Sequence, residues 1–260
     1  MLSVTPLIQS GEFGILAVFS SDEQLSNIRH ILENYVSLPF STETIPGAIM
    51  EAVLAYVRDG QVLKTYDFVD VIQTDLKIGW QVKSTKAATP VTWKRAKIAN
   101  ALELIDASNK SASGLQSLGD SIINFCNTHA HESMELYGLD KIGYSRLILN
   151  KNLTVTYIER VLCSKDAPNI FDPANYVWKW SLPKKTIAKE QLPALHGINI
   201  QTKKKDWAWH GLGENQLHFS GENQWWPPAE GTQAVSFKFP EPDKRMSLED
   251  LLEMLSSYKS

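Results

Sequence analysis

Apolar and polar positions along this chain repeat with two different periods. Residues 22–35 place Leu25, Ile28, Ile31 and Leu32 at helical spacing, and Ser20 or Ser21 stands where a side-chain oxygen can cap the first turn. Pro46 occupies a position where proline suits a helix start, and residues 47–60 gather Ile49, Met50, Val53, Leu54 and Val57 into one stripe that Gly60 ends. Ahead of both, the run FGILAVF at residues 13–19 predicts a buried strand. Residues 67–72 and 78–85 then predict a hairpin, turned by the polar segment 73–77. Pro90 opens a predicted helix reaching about Ser108, and a longer one follows over residues 115–136, burying Ile122, Ile123, Phe125 and Cys126. A second strand pair is predicted at residues 144–149 and 153–162.

Beyond Ser164 the character changes. Eight of the twelve prolines and six of the eight tryptophans lie there, and helical patterns are scarce until Leu248. Such a segment is too aromatic to stay unfolded cheaply, so residues 1–164 are expected to form a core and residues 165–260 a strand- and loop-rich extension or subdomain. The predicted class is α/β, a mixed central sheet flanked by helices.

Composition narrows the function classes. With 43% apolar residues in 260, disorder across most of the chain is excluded, and a net charge of −3 means that any surface for a polyanion must be local. Two cysteines, Cys126 and Cys163, are too few for a disulfide scaffold or a zinc ribbon and suit a reducing cytoplasm as unpaired core thiols. The first residues lack a cationic leader, and the longest nearby apolar run is too short to span a bilayer, so a cytoplasmic protein without membrane contact is expected.

The hairpin carries the chemistry. Gln81 and Lys83 are two residues apart and emerge on one face of a strand, while Trp80 and Val82 point to the other. Asp70 stands in the partner strand within cross-strand reach of Gln81. Hard oxygens from Asp70 and Gln81 suit a magnesium ion held against a phosphate, and Lys83 can orient or deprotonate an attacking water. Glu51, at the edge of the preceding helix stripe, can approach the same group.

Glu51 on a helix, Asp70 in DVI, and Gln81-Val82-Lys83 in GWQVKSTK resemble the PD-(D/E)xK nuclease superfamily, in the form where glutamine opens the second half of the motif. Type II restriction endonucleases and Mrr-like nucleases use such a QxK form. The resemblance covers residues 45–100, and the strand pair near 144–162 by order of elements. It departs at two points: the PD dipeptide is absent, and Gln81 brings no negative charge, so a metal would be held more weakly than by an Asp/Glu pair. Asp67 competes with Asp70 for the metal role, with opposite strand parity unless a bulge intervenes, and Asp70 is nearer the family pattern.

The resemblance implies a restriction-endonuclease-like fold and a catalytic set of Glu51, Asp70, Gln81 and Lys83, with Mg2+ on Asp70 and Gln81. The implied activity is that of a type II restriction endonuclease, which cuts double-stranded DNA at a short sequence and leaves 5′-phosphate and 3′-hydroxyl ends. A homodimer and a cognate DNA methyltransferase go with it. A structure-specific repair or recombination nuclease and a non-catalytic DNA-binding protein of the same fold are the neighbouring readings, the latter kept open by Gln81.

Two cationic clusters are candidate DNA contacts. Residues 76–102 hold six lysines and arginines beyond any acid, and Lys86, Thr92, Trp93, Lys94, Arg95 and Lys97 are expected to track phosphates near the cut. In the extension, Lys203, Lys204, Lys205, Asn215 and Asn223 have side chains suited to base edges. Cys126, His129 and His131 lack a convincing fourth ligand, and the glycines at 211 and 213 lack the helix that a phosphate loop requires.

Overall fold

The structure is a computed structural model that describes residues 18–41, 44–65, 67–87, 89–185, 190–225, 231–239, 241 and 245–258. It is mixed α/β and divides into two compact units whose segments alternate along the chain. Residues 1–87, 138–162 and 230–260 form the first unit, and residues 88–137 and 163–229 form the second.

In the first unit, helix α1 (Asp22–Ser37) starts at Ser21, whose side chain and that of Gln24 close a reciprocal capping box. Helix α2 (Gly47–Val57) starts after Pro46. Strands β1 (Gln61–Val62), β2 (Val71–Gln73) and β3 (Ile78–Lys86) form an antiparallel meander. Strand β5 (Lys141–Leu149) then pairs parallel to β3 along nine residues, followed by β6 (Thr154–Ser164) and β13 (Thr232–Lys238), so that the six-stranded sheet runs β1-β2-β3-β5-β6-β13. Helix α1 through Ile28 and Leu32, and α2 through Met50 and Leu54, share one core with Trp80 and Val82 of β3. Trp80 requires Gly143 opposite it on β5, because a Cβ there would stand 2.6 Å from the indole ring.

The second unit is built on a different principle. Strand β4 (Val91–Arg95) joins β7 (Tyr176–Trp180), β10 (Leu195–Asn199), β11 (Lys205–Trp209) and β12 (Gln216–Phe219) in a sheet ordered β4-β12-β11-β10-β7. A two-stranded ribbon pairs β8 (Lys184–Lys185) with β9 (Glu190–Gln191). Helices α3 (Ala101–Lys110) and α4 (Ala112–Tyr137) complete the unit. Its interior is aromatic: Trp207 and Phe219 lie 4.2 Å apart by ring centroid, Phe171 and Trp207 4.8 Å, and Trp93 and Phe171 5.3 Å. Trp178 lies against Gly119 of α4, where a Cβ would come within 2.1 Å of its ring.

Three expectations change. The helix expected from Pro90 is a strand first, since Val91 and Trp93 are buried and Thr92 is exposed, a period of two; helix begins only at Ala101. The expected division at residue 164 falls beside one crossing of the chain, at 162/163, but β4, α3 and α4 belong with the later strands, while β13 and helix α5 (Leu248–Ser257) return to the first unit. The pairing of β4 with β12 accounts for the first exchange and that of β13 with β6 for the second. Of the strand expected at residues 13–19, residues 13–17 lie outside the described residues, and Val18 and Phe19 sit in a turn.

Candidate active site

The hairpin of β2 and β3 turns over residues 74–77, with Lys77 in the left-handed region at φ 52°. Strand β2 starts later than expected, at Val71. Phe68 and Val69, both buried, lie ahead of it outside the ladder. Asp67 and Asp70 therefore both precede the strand, and the parity argument between them does not apply.

Asp70 is anchored twice on β3. Its N–H donates to the Trp80 carbonyl at 2.8 Å, and its Oδ2 accepts the Val82 N–H at 2.7 Å. The pairing of Val71 with Trp80, carried one residue outward, sets Asp70 opposite Gln81. Glu51 lies half-buried on α2, its Oε1 3.7 Å from where a Cβ on Gly47 would stand, at the electropositive first turn of its own helix. Burial raises the pKa of Glu51; the negative charge of Asp70 raises it further, and Lys83 opposes them. Glu51, Asp70 and Lys83 thus share one electrostatic neighbourhood.

Gln81 differs in kind. It is 1% exposed, and its Oε1 has no hydrogen-bond partner among the described residues. Since Trp80 and Val82 enter the core shared with α1 and α2, strand alternation turns Gln81 and Lys83 to the opposite face. There the parallel register sets Gln81 beside Tyr144 and Lys83 beside Arg146. Arg146, 2% exposed, donates to Thr85 Oγ1 at 2.9 Å, and burial lowers its pKa. Sequence reasoning passed over Tyr144 and Arg146, although an arginine inside the apolar strand KIGYSRLIL was a signal.

The expected DNA contacts separate. Lys86 is exposed at the end of β3 in the first unit, whereas Thr92, Arg95 and Lys97 are exposed in the second. Trp93 is 2% exposed inside the aromatic core, which corrects its expected role on a phosphate-tracking surface. Lys94, Arg95 and Lys97 are not on a helix, and Lys94 is half-buried near enough to Cys126 to act on its thiol.

The extension residues do not form one loop. Lys203 and Lys204 lie in the turn from β10 to β11, and Lys205 opens β11; Asn215 lies in the turn from β11 to β12, at the other end of β11. Asn215 adopts φ 56° and bonds through its backbone to His210 and Ala96, a turn-forming task. Asn223 falls in the short 3-10 helix Gly221–Trp225, near the Lys205 end, where Gln224 reaches Asp206 at 3.4 Å.

Cys126 and Cys163 are free and buried, and burial pushes the Cys126 thiol up to about 12. His129 and His131 face Glu132 and Glu135 on their own helix, at 3.1 Å and 3.3 Å. Among the described residues no helix is long and apolar enough to cross a membrane, and no three His, Cys, Asp or Glu side chains gather as a metal site. No protein-family model, no curated protein and no solved structure matches this chain.

Proposed function

We propose that the first unit is a Mg2+-dependent nuclease of the PD-(D/E)xK kind in its QxK form, acting as a type II restriction endonuclease on double-stranded DNA. The observation that carries this reading is the neighbourhood of Glu51, Asp70 and Lys83, with Asp70 set opposite Gln81, whose buried amide oxygen has no hydrogen-bond partner among the described residues. Helix, hairpin and parallel strand follow in the order that the motif resemblance implies.

The donor chemistry fits magnesium. Two carboxylates and one amide oxygen are hard ligands, too few to enclose the ion, which suits a cation that keeps several waters. The ion would be held by Asp70 and Gln81, and when bound it would polarise the scissile phosphate and lower the cost of forming hydroxide. Asp70 is fixed in place by the Val82 N–H. Glu51 adds negative charge beside it, and the upward push on its pKa is what an approaching cation would relieve. Lys83, as a cation, would orient the attacking water and offset the charge that builds on the phosphate as phosphorus gains the water oxygen and releases the 3′ oxygen; the water's proton passes to solvent, and the 3′ oxygen takes one from solvent. A homodimer acting on a two-fold site, with a methyltransferase protecting the host DNA, belongs to the same reading.

The test is incubation of supercoiled plasmid with and without Mg2+, followed by sequencing of the ends, for the native protein and Asp70→Asn. Discrete Mg2+-dependent ends that vanish in the variant support the reading. Cleavage confined to junctions or mismatches would replace it with a repair or recombination nuclease. Tight binding with no cleavage would leave a non-catalytic DNA-binding protein.

A further inference from the structure

The second unit presents a polar surface that the nuclease reading does not use. On its five-stranded sheet, the register aligns Lys179 of β7, His196 of β10, Ala208 of β11, His218 of β12 and Thr92 of β4 in one row across the strands. The next row across the sheet, with Trp178, Gly197, Trp207 and Phe219, turns the other way into the aromatic core. Ala208, the smallest member, leaves a low floor between two imidazoles. Beside this row opens a cleft of about 400 Å³, walled by Lys184 of the β8–β9 ribbon and by Leu182 and Leu192, and reached by Lys205 and His210.

Its charge has one sign. Burial, and then the charges of Lys205, Lys179, His210 and Lys184 in that order, pull the pKa of His196 down to about 4. His218 is lowered by burial, His210 and Lys205. No carboxylate stands among these influences; Glu214, which lines the adjoining hollow toward the β11–β12 turn, is held by Gln216 at 2.8 Å. Three lysines and one imidazole crowd half-buried His196, and among the described residues no carboxylate acts on it, so an anion entering the cleft would be stabilised.

The apolar residues decide which anion. Leu182 is 84% exposed and Leu192 53%, and imidazole faces border the same space. A duplex hides its base faces in the stack and offers phosphates and groove edges, leaving such surfaces idle. An unpaired strand offers phosphates for the lysines together with bare base faces for the leucines and imidazoles, the combination that serves single-strand binding elsewhere.

We infer that this cleft binds single-stranded polynucleotide, its phosphates at Lys179, Lys184 and Lys205 and its bases against His196, His218, Leu182 and Leu192. The site lies wholly within the second unit, and its occupation does not require the first unit to be a nuclease.

The test measures binding of the full chain, without divalent metal, to a labelled single strand of about 12 nucleotides, to the same sequence as a duplex, and to a mononucleotide. The native protein is compared with Lys184→Ala/Lys205→Ala and with His196→Asn/His218→Asn, folding being checked by circular dichroism. The single strand should bind in preference to the mononucleotide, and each double variant should weaken it about tenfold without an equal loss on the duplex. The lysine variant should also lower the slope of log affinity against log salt by about 1.4, the share of two phosphates on a single strand. A second measurement guards against variants that fail to fold: in the native protein the His196 ring signals should shift on adding the oligonucleotide, with a raised pKa. Equal losses on duplex and single strand would assign the cleft to duplex backbone, and a mononucleotide that binds as tightly would assign it to a small ligand. Unchanged binding with unmoved histidine signals would remove any nucleic-acid role. Each of these three results overturns the inference.

Discussion

The two units give polar and aromatic contacts different weight in their interiors. In the first, Glu159 is fully buried and accepts hydrogen bonds from Ser20 N at 2.7 Å, Ser20 Oγ at 2.6 Å and Tyr157 Oη at 2.8 Å. Arg58, at the end of α2, donates to Gln73 Oε1 at 2.8 Å, Ser20 Oγ at 2.9 Å and Val18 O at 2.8 Å, and its guanidinium lies 4.6 Å from the Trp80 ring. Trp80 Nε1 in turn donates to Gln73 Oε1 at 3.0 Å. In the second unit, Trp93, Phe171, Trp207 and Phe219 meet edge-on or tilted through apolar ring contacts. Ring packing tolerates small shifts, whereas a satisfied buried polar network admits one arrangement. The elements that the network ties together are α2, β2 and β3, which carry or adjoin Glu51, Asp70, Gln81 and Lys83. The candidate site is thus mounted on the more directional of the two interiors.

The largest expected effect separates the site from the scaffold that holds it. Asp70→Ala and Lys83→Ala should each lower Mg2+-dependent DNA cleavage by roughly a thousandfold or more, as loss of a metal ligand or a charge-stabilising group does. Binding to DNA should stay within about tenfold, because phosphate contacts are spread over many cations. Asp67→Ala decides between the aspartates: cleavage lost in that variant and kept in Asp70→Ala would move the metal role to Asp67.

Next in size is the contrast between the interiors. Glu159→Gln keeps shape but turns an acceptor-only group into one with two donors, facing Ser20 and Tyr157 and leaving Arg58 without the nearby charge that supports its pKa. Breaking a buried charged network in this way should cost about 3 kcal/mol in chemical denaturation. Trp207→Phe in the second unit changes volume more, yet stays aromatic and should cost about 1.5 kcal/mol. If the tryptophan change proved the more costly, directionality would not be what distinguishes the two units.

That contrast also explains what could be read in the sequence. Helices α1 and α2, the hairpin and the second strand pair were legible because one face of each is apolar at a clear period, and Ser21 and Pro46 mark the helix starts. Gln81 and Lys83 were legible as neighbours on one face because strand parity needs no tertiary knowledge. Segment 90–95 was misread because VTWKR after a proline suits either period over so few residues, and its pairing with β12 lies more than a hundred residues away. Trp93 was misassigned for the same reason: a tryptophan among cations looks like a contact residue until its sheet partners are known. The Arg58–Glu159 pair could not be foreseen, since nothing local links a helix end to a strand a hundred residues later.

A smaller effect tests Gln81 itself. Gln81→Glu places a carboxylate where a buried amide oxygen has no hydrogen-bond partner among the described residues. Without metal, burial and the nearby negative charge of Asp70 disfavour ionisation there, so the variant should lose about 1–2 kcal/mol of stability, regained as Mg2+ is added. Divalent-ion affinity by titration calorimetry should match or exceed that of the native protein. Weaker binding would take Gln81 out of the metal shell and shift the site toward Glu51 and Asp70 alone.

The smallest effect is a pH dependence confined to the second unit. His196 titrates near 4 in the folded chain against about 6.5 when unfolded, so between those values the unfolded state binds more protons. The stability linked to a neutral His196 is therefore fully present above pH 6.5 and is lost as pH falls toward 4. Because the ring is partly open to solvent, screening reduces the contribution to about 1 kcal/mol. Urea denaturation at pH 7 and at pH 4.5 should accordingly show a smaller loss on acidification for His196→Asn than for the native chain. An identical loss in variant and native protein would mean that burial and the lysines around the cleft do not hold the His196 ring neutral in solution.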